Sequence, residues 1–455
     1  MNTRADRPDP AAVAILLGCA WLERGQDRVA AAHLERALSF MPDHPEAHRY
    51  LAYVRVRQGE FADAVVHMDF ALRSEPADSP LRREAVLVRE LAGYPPDPVP
   101  LPSNPAGRLR FTSLYERTHH RSGWRYAVEA LYSLHNPEGV RFEGFLEDPF
   151  AWQHPRAGIR PGPELLVALR SPSYETRITS EERHIVPFRE PWVGFLHNPP
   201  HMPPWFHFEE SPQTILAKPV WQESLRHCVG LFALSEYAAG WLRRFTGKPV
   251  SALLHPTEMP DLLFDFQRFQ AKPQKFIIQV GWWLRRLGAI DRLPIPADNI
   301  LGYTKLRLVP HFFPQADAYL KKLRERNFLD NGRPEPEHAD NTIERQHLSN
   351  DDYDRLLAEN IVFLDLYDAG ANNAVIECLA RATPLLVNRL PAVEEYLGAA
   401  YPLYYSDLAE AAAKALDLGR LREAHLYLLE CETRRRLDAD SFRRSVEESE
   451  VYQKL

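Results

Sequence analysis

Short apolar runs alternate with helical patterns along most of this chain, from residue 110 to its end. The first series is LRFTSLYE, RYAVEALYSL, ELLVALR, PWVGFLHN, CVGLFALSEYAAGWLRRF and VSALLHP, and the second is FIIQVGWWL, NILGY, LRLVP, NIVFLDLYD, PLLVN and YPLYYS. Such alternation indicates parallel strands joined by crossover helices. Runs that are apolar throughout, such as IVFL, suit strands covered on both faces. We therefore predict an α/β fold with two Rossmann-like, doubly wound domains, whose ligands bind at the carboxyl ends of the strands.

The size and charge of the chain narrow the class of protein. With 455 residues, it exceeds what one hydrophobic core usually supports, so we expect two or three domains. A net charge of -7 argues against a nucleic-acid partner. The four cysteines lie far apart, which argues against a disulfide framework or a zinc site and favours a cytoplasmic location. The N-terminus lacks the apolar core of a signal peptide, and the apolar run at 13–22 is too short to span a bilayer, so we expect neither export nor a membrane span.

The N-terminal part of the chain repeats itself after 34 residues. The matching pairs are Gly25 with Gly59, Ala30 with Ala64, Ala37 with Ala71, Leu38 with Leu72, and Pro42 with Pro76. Alanine suits closely packed helices, glycine suits the end of the first helix of a pair, and proline suits the end of the second. The pattern resembles the tetratricopeptide repeat. We predict an all-α repeat domain over residues 1–95, completed by a helix at 80–92.

Two copies of such a repeat cannot bury their apolar faces alone, so they are expected to dock on the remaining protein or on a second subunit, as in a homo-oligomer. One interpretation is that their concave face holds a peptide or protein substrate. The other is that they are a solubilising or dimerising appendage. Prolines at nearly every second position after residue 93 predict a stiff connector, which we place at 96–109.

Polar residues begin the otherwise apolar helix predicted within ANNAVIECLARATPLLVN, residues 371–388. With Asn373 as the predicted N-cap, Asn372 and Asn373 stand where free N–H groups and the helix dipole favour an anion such as phosphate. Glu377, within the first turns, can accept hydrogen bonds from the vicinal hydroxyls of a ribose. These three residues suit a nucleotide. The alternative interpretation is that the asparagines only cap the helix and that Glu377 is solvated.

A second loop with candidate binding residues follows the run FIIQV. Gly281 lies directly after this predicted strand, where the backbone can approach a ligand closely. Arg285 and Arg286 follow within reach and can neutralise phosphate. Alternatively, two arginines at the start of a helix form an ordinary solvated face.

Two further loops belong to the first series of strands. In RTHHRSGWR, His119 and Gly123 are candidate acceptor-binding residues. His197 ends the strand predicted within PWVGFLHN, and a loop rich in proline and aromatic residues follows. In that loop, Trp205 offers a flat face for a sugar or peptide acceptor. The alternative for His197 is a structural, hydrogen-bonded histidine.

The segments LFALSEYAAGWLRR, LLHPTEMP, QVGWWLRRLG and LSNDDYDRLLAENIVFLDLYDAGANNAVIECLARATPLLVNRLPAVEEYLG resemble the GT-B glycosyltransferases, especially the large retaining group that uses nucleotide-activated sugars. The resemblance covers most of residues 110–455. It implies a Rossmann-like acceptor domain at 110–265 and a Rossmann-like nucleotide-sugar domain at 266–455 with a terminal crossing helix. It also implies that the donor binds without a metal ion and that no separate cofactor is needed.

Residue by residue, the resemblance is incomplete. Glu377 matches the second glutamate of a pair in this family, the one associated with the donor ribose. The first glutamate is replaced by Ala369, with Asp368 one residue away. Gly281 matches the glycine after the first strand of the donor domain, whereas Trp282 replaces the usual arginine, so that Arg285 and Arg286 are expected to substitute for it.

The expected function is that of a glycosyltransferase that moves a sugar from a nucleotide-diphosphate donor to an acceptor, which the repeats suggest is a protein or peptide. The expected donor-binding residues are Gly281, Arg285, Arg286, Asn372, Asn373 and Glu377. His197 is the expected catalytic residue, as a base if the enzyme inverts, or as a contact of the donor sugar or leaving group if it retains, as the resemblance implies. Two other classes stay open: a catalytically inactive scaffold for a protein partner, suggested by Ala369, and a nucleotide-sugar isomerase, which needs no acceptor.

Overall fold

The computed structural model describes residues 9–75, 79–91, 101–111, 123–151, 187–308, 321, 324–326, 329, 342–345 and 348–455. The chain divides into two compact units, each assembled from several segments. The first comprises Met1–Glu116, Leu134–Gly194 and Gln213–Cys228, and the second comprises Arg117–Ser133, Phe195–Pro212 and Val229–Leu455.

The N-terminal region is helical, as predicted. Its helices are α1 (Pro10–Glu23), α2 (Asp27–Phe40), α3 (Pro45–Gln58), α4 (Phe61–Ala71) and α5 (Pro80–Leu91). Gly25 and Gly59, which occupy equivalent positions of the sequence repeat, follow α1 and α3 with φ of 73° and 74°. This left-handed conformation suits glycine and ends both helices. The predicted helix end at Pro76 lies outside the described residues.

Close packing and buried polar pairs hold these helices together. A Cβ atom on Gly18 of α1 would come within 2.6 Å of Leu34 of α2, so the small residue allows the two helices to approach. Arg57 is 1% exposed and pairs with Asp27 at 2.6 Å. The Tyr53 hydroxyl of α3 donates to the carboxylate of Glu84, which lies in α5. The added helix at 80–91 therefore completes the core of the first two pairs.

The first parallel sheet contains the strands β1 (Leu109–Phe111), β2 (Val140–Glu143), β3 (Trp192–Phe195), β4 (Cys228–Ala233) and β5 (Val250–Ala252). Their spatial order is β1-β2-β3-β4-β5. The order runs in one direction among the described strands, whereas a doubly wound sheet reverses direction at one point. The doubly wound arrangement predicted from the sequence is therefore not seen in these five strands, because each connection moves the chain to the next position on the same side.

The second parallel sheet contains β6 (Lys275–Val280), β7 (Tyr303–Leu308), β8 (Thr342–Arg345), β9 (Ile361–Leu364), β10 (Leu385–Asn388) and β11 (Tyr404–Tyr405). Its order is β11-β10-β9-β6-β7-β8. The chain first moves outward from β6 through β7 to β8, and then returns to the other side of β6 to form β9. Ile277 of β6 is in register with Ile361 of β9, and Val362 of β9 with Leu385 of β10. This sheet is doubly wound, as predicted.

A continuous apolar core covers both faces of the second sheet. All four residues of β9 are 0% exposed, as are the Leu385–Val387 part of β10 and Ile277 and Ile278 of β6. The continuous apolar runs noted in the sequence thus correspond to strands buried on both faces. Because both faces of this sheet are buried, polar side chains lie at the ends of its strands.

The other described helices connect and flank the strands. They span Trp124–Ala130, Glu147–Ala151, Pro212–Ala217, Pro219–Leu225, Glu236–Thr246, Phe266–Ala271, Ala289–Arg292, Asn350–Ala358, Asn373–Arg381, Pro391–Leu397, Leu408–Ala415, Leu418–Glu430, Ala439–Glu448 and Glu450–Gln453, with short 3-10 segments at Leu72–Ser74, Tyr132–Leu134, Phe208–Glu210 and Thr433–Arg436. Every helix in the described ranges is too short or too polar to cross a bilayer.

Candidate functional site

The strand order of the second sheet creates a crevice between β6 and β9. The chain leaves these two adjacent strands in opposite directions, so the loops that follow them diverge at the carboxyl edge. The loop after β6 begins at Gly281, and the loop after β9 runs from Asp365 to the helix that starts at Asn373. These loops carry most of the donor-binding residues predicted from the sequence.

The two loops are joined by backbone hydrogen bonds. The N–H of Arg286 donates to the carbonyl of Asp365 at 2.8 Å, and the N–H of Tyr367 donates to the carbonyl of Leu284 at 2.9 Å. Arg285 thereby forms an isolated antiparallel bridge with Leu366. Neighbouring side chains in paired, extended backbone point to opposite sides. Arg285 and Arg286 consequently enter different surroundings.

Arg285 is buried beside the helix Asn373–Arg381. Its Nη2 donates to Oδ1 of Asn372 at 3.2 Å, and its Nη1 donates to the carbonyl of Trp283 at 2.7 Å. Its Nε is buried without a hydrogen-bond partner among the described residues. Burial lowers the pKa of Arg285 to about 10, while Tyr353 and Glu377 oppose that change. The guanidinium therefore stays cationic at neutral pH in a largely desolvated place, where it would interact strongly with an anion.

Gly281 makes room for this guanidinium. Its φ is 75°, and a Cβ atom at this position would lie 3.1 Å from Cζ and 3.2 Å from Nε and Nη2 of Arg285. A side chain here would be strained in its backbone and would press on the arginine. The glycine predicted to allow close approach of a ligand thus allows close approach of Arg285.

The start of the helix Asn373–Arg381 differs by one residue from the prediction. Asn372 is the N-cap, because its side-chain oxygen accepts from the N–H groups of Ala374 and Val375 while its backbone is extended. Asn373, predicted as the N-cap, is the first helical residue, and its side chain is exposed. The side-chain oxygen of Asn372 therefore accepts hydrogen bonds both from the helix N-terminus and from Arg285. Asn373 faces solvent at the helix start.

Glu377 lies one turn into that helix and is 1% exposed. The hydroxyl of Tyr353, from the helix Asn350–Ala358, donates to its Oε2. Burial, together with the nearby Glu377 carboxylate, raises the pKa of Tyr353 well above its usual value, so this tyrosine stays a donor. The alternative of a solvated Glu377 is wrong, since the carboxylate is enclosed. Gly281, Arg285, Asn372, Glu377 and Tyr353 form the set that we call the crevice cluster.

Tyr353 is the member of this cluster that sequence reasoning missed. It lies in NDDYDRLLAEN, which reads as a polar helix start. Its distance of 24 residues from Glu377 leaves no periodic signal that would join the two. Their contact depends on how two helices on one face of the sheet pack together, which only the tertiary structure decides.

Arg286 does not join the crevice cluster. Its Nη1 donates to Oδ1 of Asp365 at 2.6 Å and to the carbonyl of Leu366 at 3.0 Å. Its guanidinium also lies over the ring of Tyr367, 4.6 Å from the centroid. The expectation that both arginines face one ligand site is not met by this geometry, because Arg285 donates to Asn372 whereas Arg286 donates to Asp365.

Asp368, the carboxylate next to Ala369, makes hydrogen bonds that hold the local structure. It accepts from the N–H of His201 at 2.8 Å, from the hydroxyl of Tyr237 at 3.1 Å and from the N–H of Ala369 at 2.9 Å. Burial raises its pKa. Ala369 itself is 3% exposed. The Asp368 carboxylate thus holds backbone segments together.

His197 follows β3 and is half-buried. Its ring packs edge-on against Trp124, with 4.2 Å between ring centroids. A Cβ atom on Gly370 would lie 2.5 Å from the carbonyl oxygen of His197, so the loop after β9 approaches the loop after β3 closely. His197 therefore lies near the chain segment that leads into Asn372.

The predicted acceptor-binding residues have different surroundings. Gly123 precedes the helix Trp124–Ala130 as its N-cap residue, and His119 lies outside the described residues. Trp205 is partly buried in an aromatic cluster with Phe206, Phe208, Trp282 and Trp283. Its ring packs edge-on against Tyr367 at 5.5 Å. Trp282 packs in the same apolar cluster as Trp205.

Among the described side chains, no group of three or more histidine, cysteine, aspartate or glutamate residues is placed to hold a metal ion.

Similarity to known proteins is confined to structures. No family model and no curated protein matches the sequence. A mutant of the Thermobaculum terrenum O-GlcNAc transferase matches with 15% identity and a TM-score of 0.38, covering 97% of this chain and 90% of that one. The trehalose-phosphate synthase (UDP-forming) of Burkholderia vietnamiensis matches with 14% identity and a TM-score of 0.44, covering 74% and 97%. Anabaena HepE in complex with UDP and glucose matches with 14% identity and a TM-score of 0.40, covering 57% and 71%.

All three TM-scores are below 0.5, so function has to be inferred from the chain's own residues. The structure describes a mixed α/β protein with two parallel sheets, the second of which is doubly wound with a polar crevice at its switch point.

Proposed function

We propose that this protein is a glycosyltransferase that transfers a sugar from a nucleotide-diphosphate donor to an acceptor. One observation carries the proposal: the crevice cluster places a buried cationic guanidinium, a helix N-terminus and a buried carboxylate at the switch point between β6 and β9. Ligands of doubly wound sheets bind at such switch points. The combination suits a ligand with phosphate at one part and vicinal hydroxyls at another.

Each member of the cluster has a chemical role in this proposal. Arg285 stabilises the negative charge that develops on the leaving diphosphate, and it does so strongly because it is desolvated. Asn372 orients Arg285, and Asn373 offers an exposed amide at the helix start. Glu377 accepts hydrogen bonds from the ribose, and Tyr353 holds that carboxylate in place. Gly281 leaves the space that Arg285 occupies.

His197 is proposed to lie nearest to the acceptor. It follows a strand end, and its carbonyl contacts Gly370 on the way to Asn372. As a base it would take the acceptor's proton in an inverting reaction, and in a retaining reaction it would bind the donor sugar or the leaving group. Full turnover by a His197→Ala protein would exclude both roles.

The N-terminal helices are proposed to be tetratricopeptide repeats that hold a protein or peptide acceptor. The equivalent glycines at the ends of α1 and α3 and the small residue between α1 and α2 support this identification. The donor is proposed to bind without a metal ion, because Arg285 supplies the positive charge that a metal would otherwise contribute at the diphosphate.

The first experiment is thermal denaturation against a panel of nucleoside diphosphates and nucleotide sugars, using the wild type, Glu377→Gln and Glu359→Gln. At about a hundred times Kd, binding should stabilise the native state by about 2.7 kcal/mol. Glu377→Gln should abolish the shift, whereas Glu359→Gln should retain it, because Glu359 pairs with Lys272 at 2.9 Å away from the cluster. The proposal would be contradicted if no nucleotide or nucleotide sugar of the panel raised the denaturation temperature of the wild type.

An inactive scaffold is the second candidate, favoured by one observation. Position 369 is alanine, and Asp368 is occupied by two backbone N–H groups and the Tyr237 hydroxyl. A protein that binds the nucleotide sugar, yet neither hydrolyses nor transfers the sugar with any acceptor, would support the scaffold. Conversion of the donor without an acceptor would instead support an isomerase.

A further inference from the structure

A cavity of about 770 Å³ lies over the carboxyl ends of β9, β10 and β11, on the side of the joined loops that Arg286 enters. Asp365 follows β9, Asn388 ends β10, and Ser406 follows β11. Its lining also includes Arg286, Arg292, Arg389, Tyr401, Tyr404, Tyr405, Asp407, Leu408, Glu410 and Lys414. The volume is in the range of small-molecule sites. The lining shares no residue with the crevice cluster.

Arg286 and Arg292 both line this cavity, close enough to influence each other's charge. Arg286 pairs with Asp365 at 2.6 Å, and the side chain of that carboxylate is only 10% exposed. The pKa of Arg292 is lowered, first by burial and also by the nearby Arg286, while Asp365 opposes the change. The two guanidinium groups thus lie near each other in a partly desolvated place, with the carboxylates of Asp365 and Asp291 nearby. An additional anion would relieve their repulsion.

Arg286 has donor groups left for such an anion. Both of its side-chain hydrogen bonds use Nη1, and Nη2 has no partner among the described residues. Its backbone is held as well, since Nε2 of Gln279 donates to the carbonyl of Arg286 at 3.1 Å. A guanidinium fixed in this way presents a planar donor edge, which suits the oxygens of a phosphate.

The walls of the cavity are rigid. Asn388 pairs with the backbone of Leu366 through both side-chain atoms, accepting at 2.8 Å and donating at 2.9 Å. The hydroxyl of Tyr405 donates to the carbonyl of Leu364 at 2.8 Å. Fixed walls reduce the entropy that is lost when a ligand binds. Asn388 and Tyr405 are therefore preorganised at the wall of the cavity.

We propose that this cavity is a second ligand site and that it binds a small phosphate monoester. The phosphate lies between Arg286 and Arg292, and the organic part extends toward Ser406 and Lys414 at the other end. A free phosphate ion would fill only a small part of 770 Å³, so the ester is the better fit. The site is separate from the proposed donor site, because Arg285 and Arg286 leave the joined loops on opposite sides.

The test is isothermal titration of the full-length protein with glycerol 3-phosphate and with inorganic phosphate. The wild type should bind the monoester more tightly than inorganic phosphate. Arg292→Gln should weaken monoester binding about tenfold, as expected for loss of one charge-assisted hydrogen bond. The same variant should leave nucleoside-diphosphate affinity unchanged. Glu377→Gln should do the reverse, so failure of the donor proposal and failure of this one give different results.

Arg389→Gln is a second variant with little risk to folding, because the Arg389 side chain is 53% exposed. It lies at the rim and should weaken monoester binding by a smaller factor, about threefold. The proposal is overturned if the wild type does not bind the monoester, if inorganic phosphate binds equally well, or if a nucleoside diphosphate competes with the monoester for one site.

Discussion

Arg285 and Arg286 are neighbours in the chain, yet their guanidinium groups belong to different polar clusters. Arg285 donates to Asn372, whereas Arg286 pairs with Asp365. The loop after β6 forms a one-residue antiparallel bridge at Arg285, between two turns, and pairs with the loop after β9 through Arg286 and Tyr367. The hydrogen bonds of the two guanidinium groups then assign one arginine to each cluster. The carboxyl edge of the second sheet thereby carries two separate cationic groups, Arg285 and Arg286.

Replacement of Arg285 by methionine should abolish donor binding with little loss of stability. The lowering of the Arg285 pKa to about 10 corresponds to a cost of about 3 kcal/mol for burying the charge. That cost offsets much of the loss of the two hydrogen bonds. We expect the free energy of unfolding to change by less than about 1 kcal/mol in urea denaturation, while the nucleotide-induced stabilisation disappears.

Arg381→Met is the matched control for that variant. Arg381 is 1% exposed and pairs with Asp354, whose side chain is 8% exposed. Removal of its charge takes the cationic partner away from a buried carboxylate, so we expect a loss of about 3 kcal/mol or more. Equal stability losses for the two variants would contradict the view that Arg285 is held for binding at the expense of stability.

Gly281→Ala should weaken both folding and donor binding. The backbone φ of 75° and the 3.1 Å approach to Arg285 make a Cβ atom unfavourable. We expect a loss of about 1–2 kcal/mol in chemical denaturation, with weaker nucleotide binding because the guanidinium is displaced. Gly240→Ala is the control: it lies exposed within Glu236–Thr246, and its new Cβ would meet nothing within 4 Å. That variant should gain about 0.5–1 kcal/mol.

Tyr353→Phe should raise the KM for the nucleotide-sugar donor several-fold while leaving kcat largely unchanged. The hydroxyl donates to Glu377 and acts through it, so its loss affects binding equally in the ground and transition states. Tyr303→Phe makes the same chemical change at a buried hydroxyl that has no hydrogen-bond partner among the described residues. The control should keep normal kinetics. A lower kcat with normal KM in Tyr353→Phe would argue against a positioning role.

His67 should make the N-terminal helices less stable in acid. Burial, with His48 and Arg55 nearby, lowers its pKa from 6.5 to about 4. Below pH 6.5 the unfolded chain takes up a proton that the folded chain refuses, so stability falls as the pH drops from about 6.5 toward 4. Allowing for solvent screening, the loss should be about 1 kcal/mol.

The measurement for this prediction is thermal denaturation between pH 7 and pH 5, comparing the wild type with His67→Gln. Glutamine does not titrate, so the variant should show a shallower fall over this range. His67 Nδ1 lies 2.9 Å from Nδ1 of His48, and glutamine can still offer a donor there. Identical pH profiles would show that His67 is not the group responsible.

The sequence alone determined the local features of this protein. The repeat with its glycines predicted the helices of the N-terminal region, because helix ends and close helix packing depend on residue types at fixed spacing. The continuous apolar runs predicted buried parallel strands, because a strand covered on both faces needs apolar residues at every position. The cluster of Gly281, Arg285, Asn372 and Glu377 also followed from local rules, since each residue stands at a strand end or a helix start of one sheet.

The tertiary structure decided what those residues contact. The partner of Glu377 is Tyr353, which no spacing rule connects to it. The separation of Arg285 from Arg286 depends on the pairing of two loops that are 79 residues apart at Arg286 and Asp365. The strand order of the first sheet is likewise a matter of long-range pairing. Such contacts arise from packing between distant segments, where the free energy depends on shape and burial that local sequence patterns do not encode.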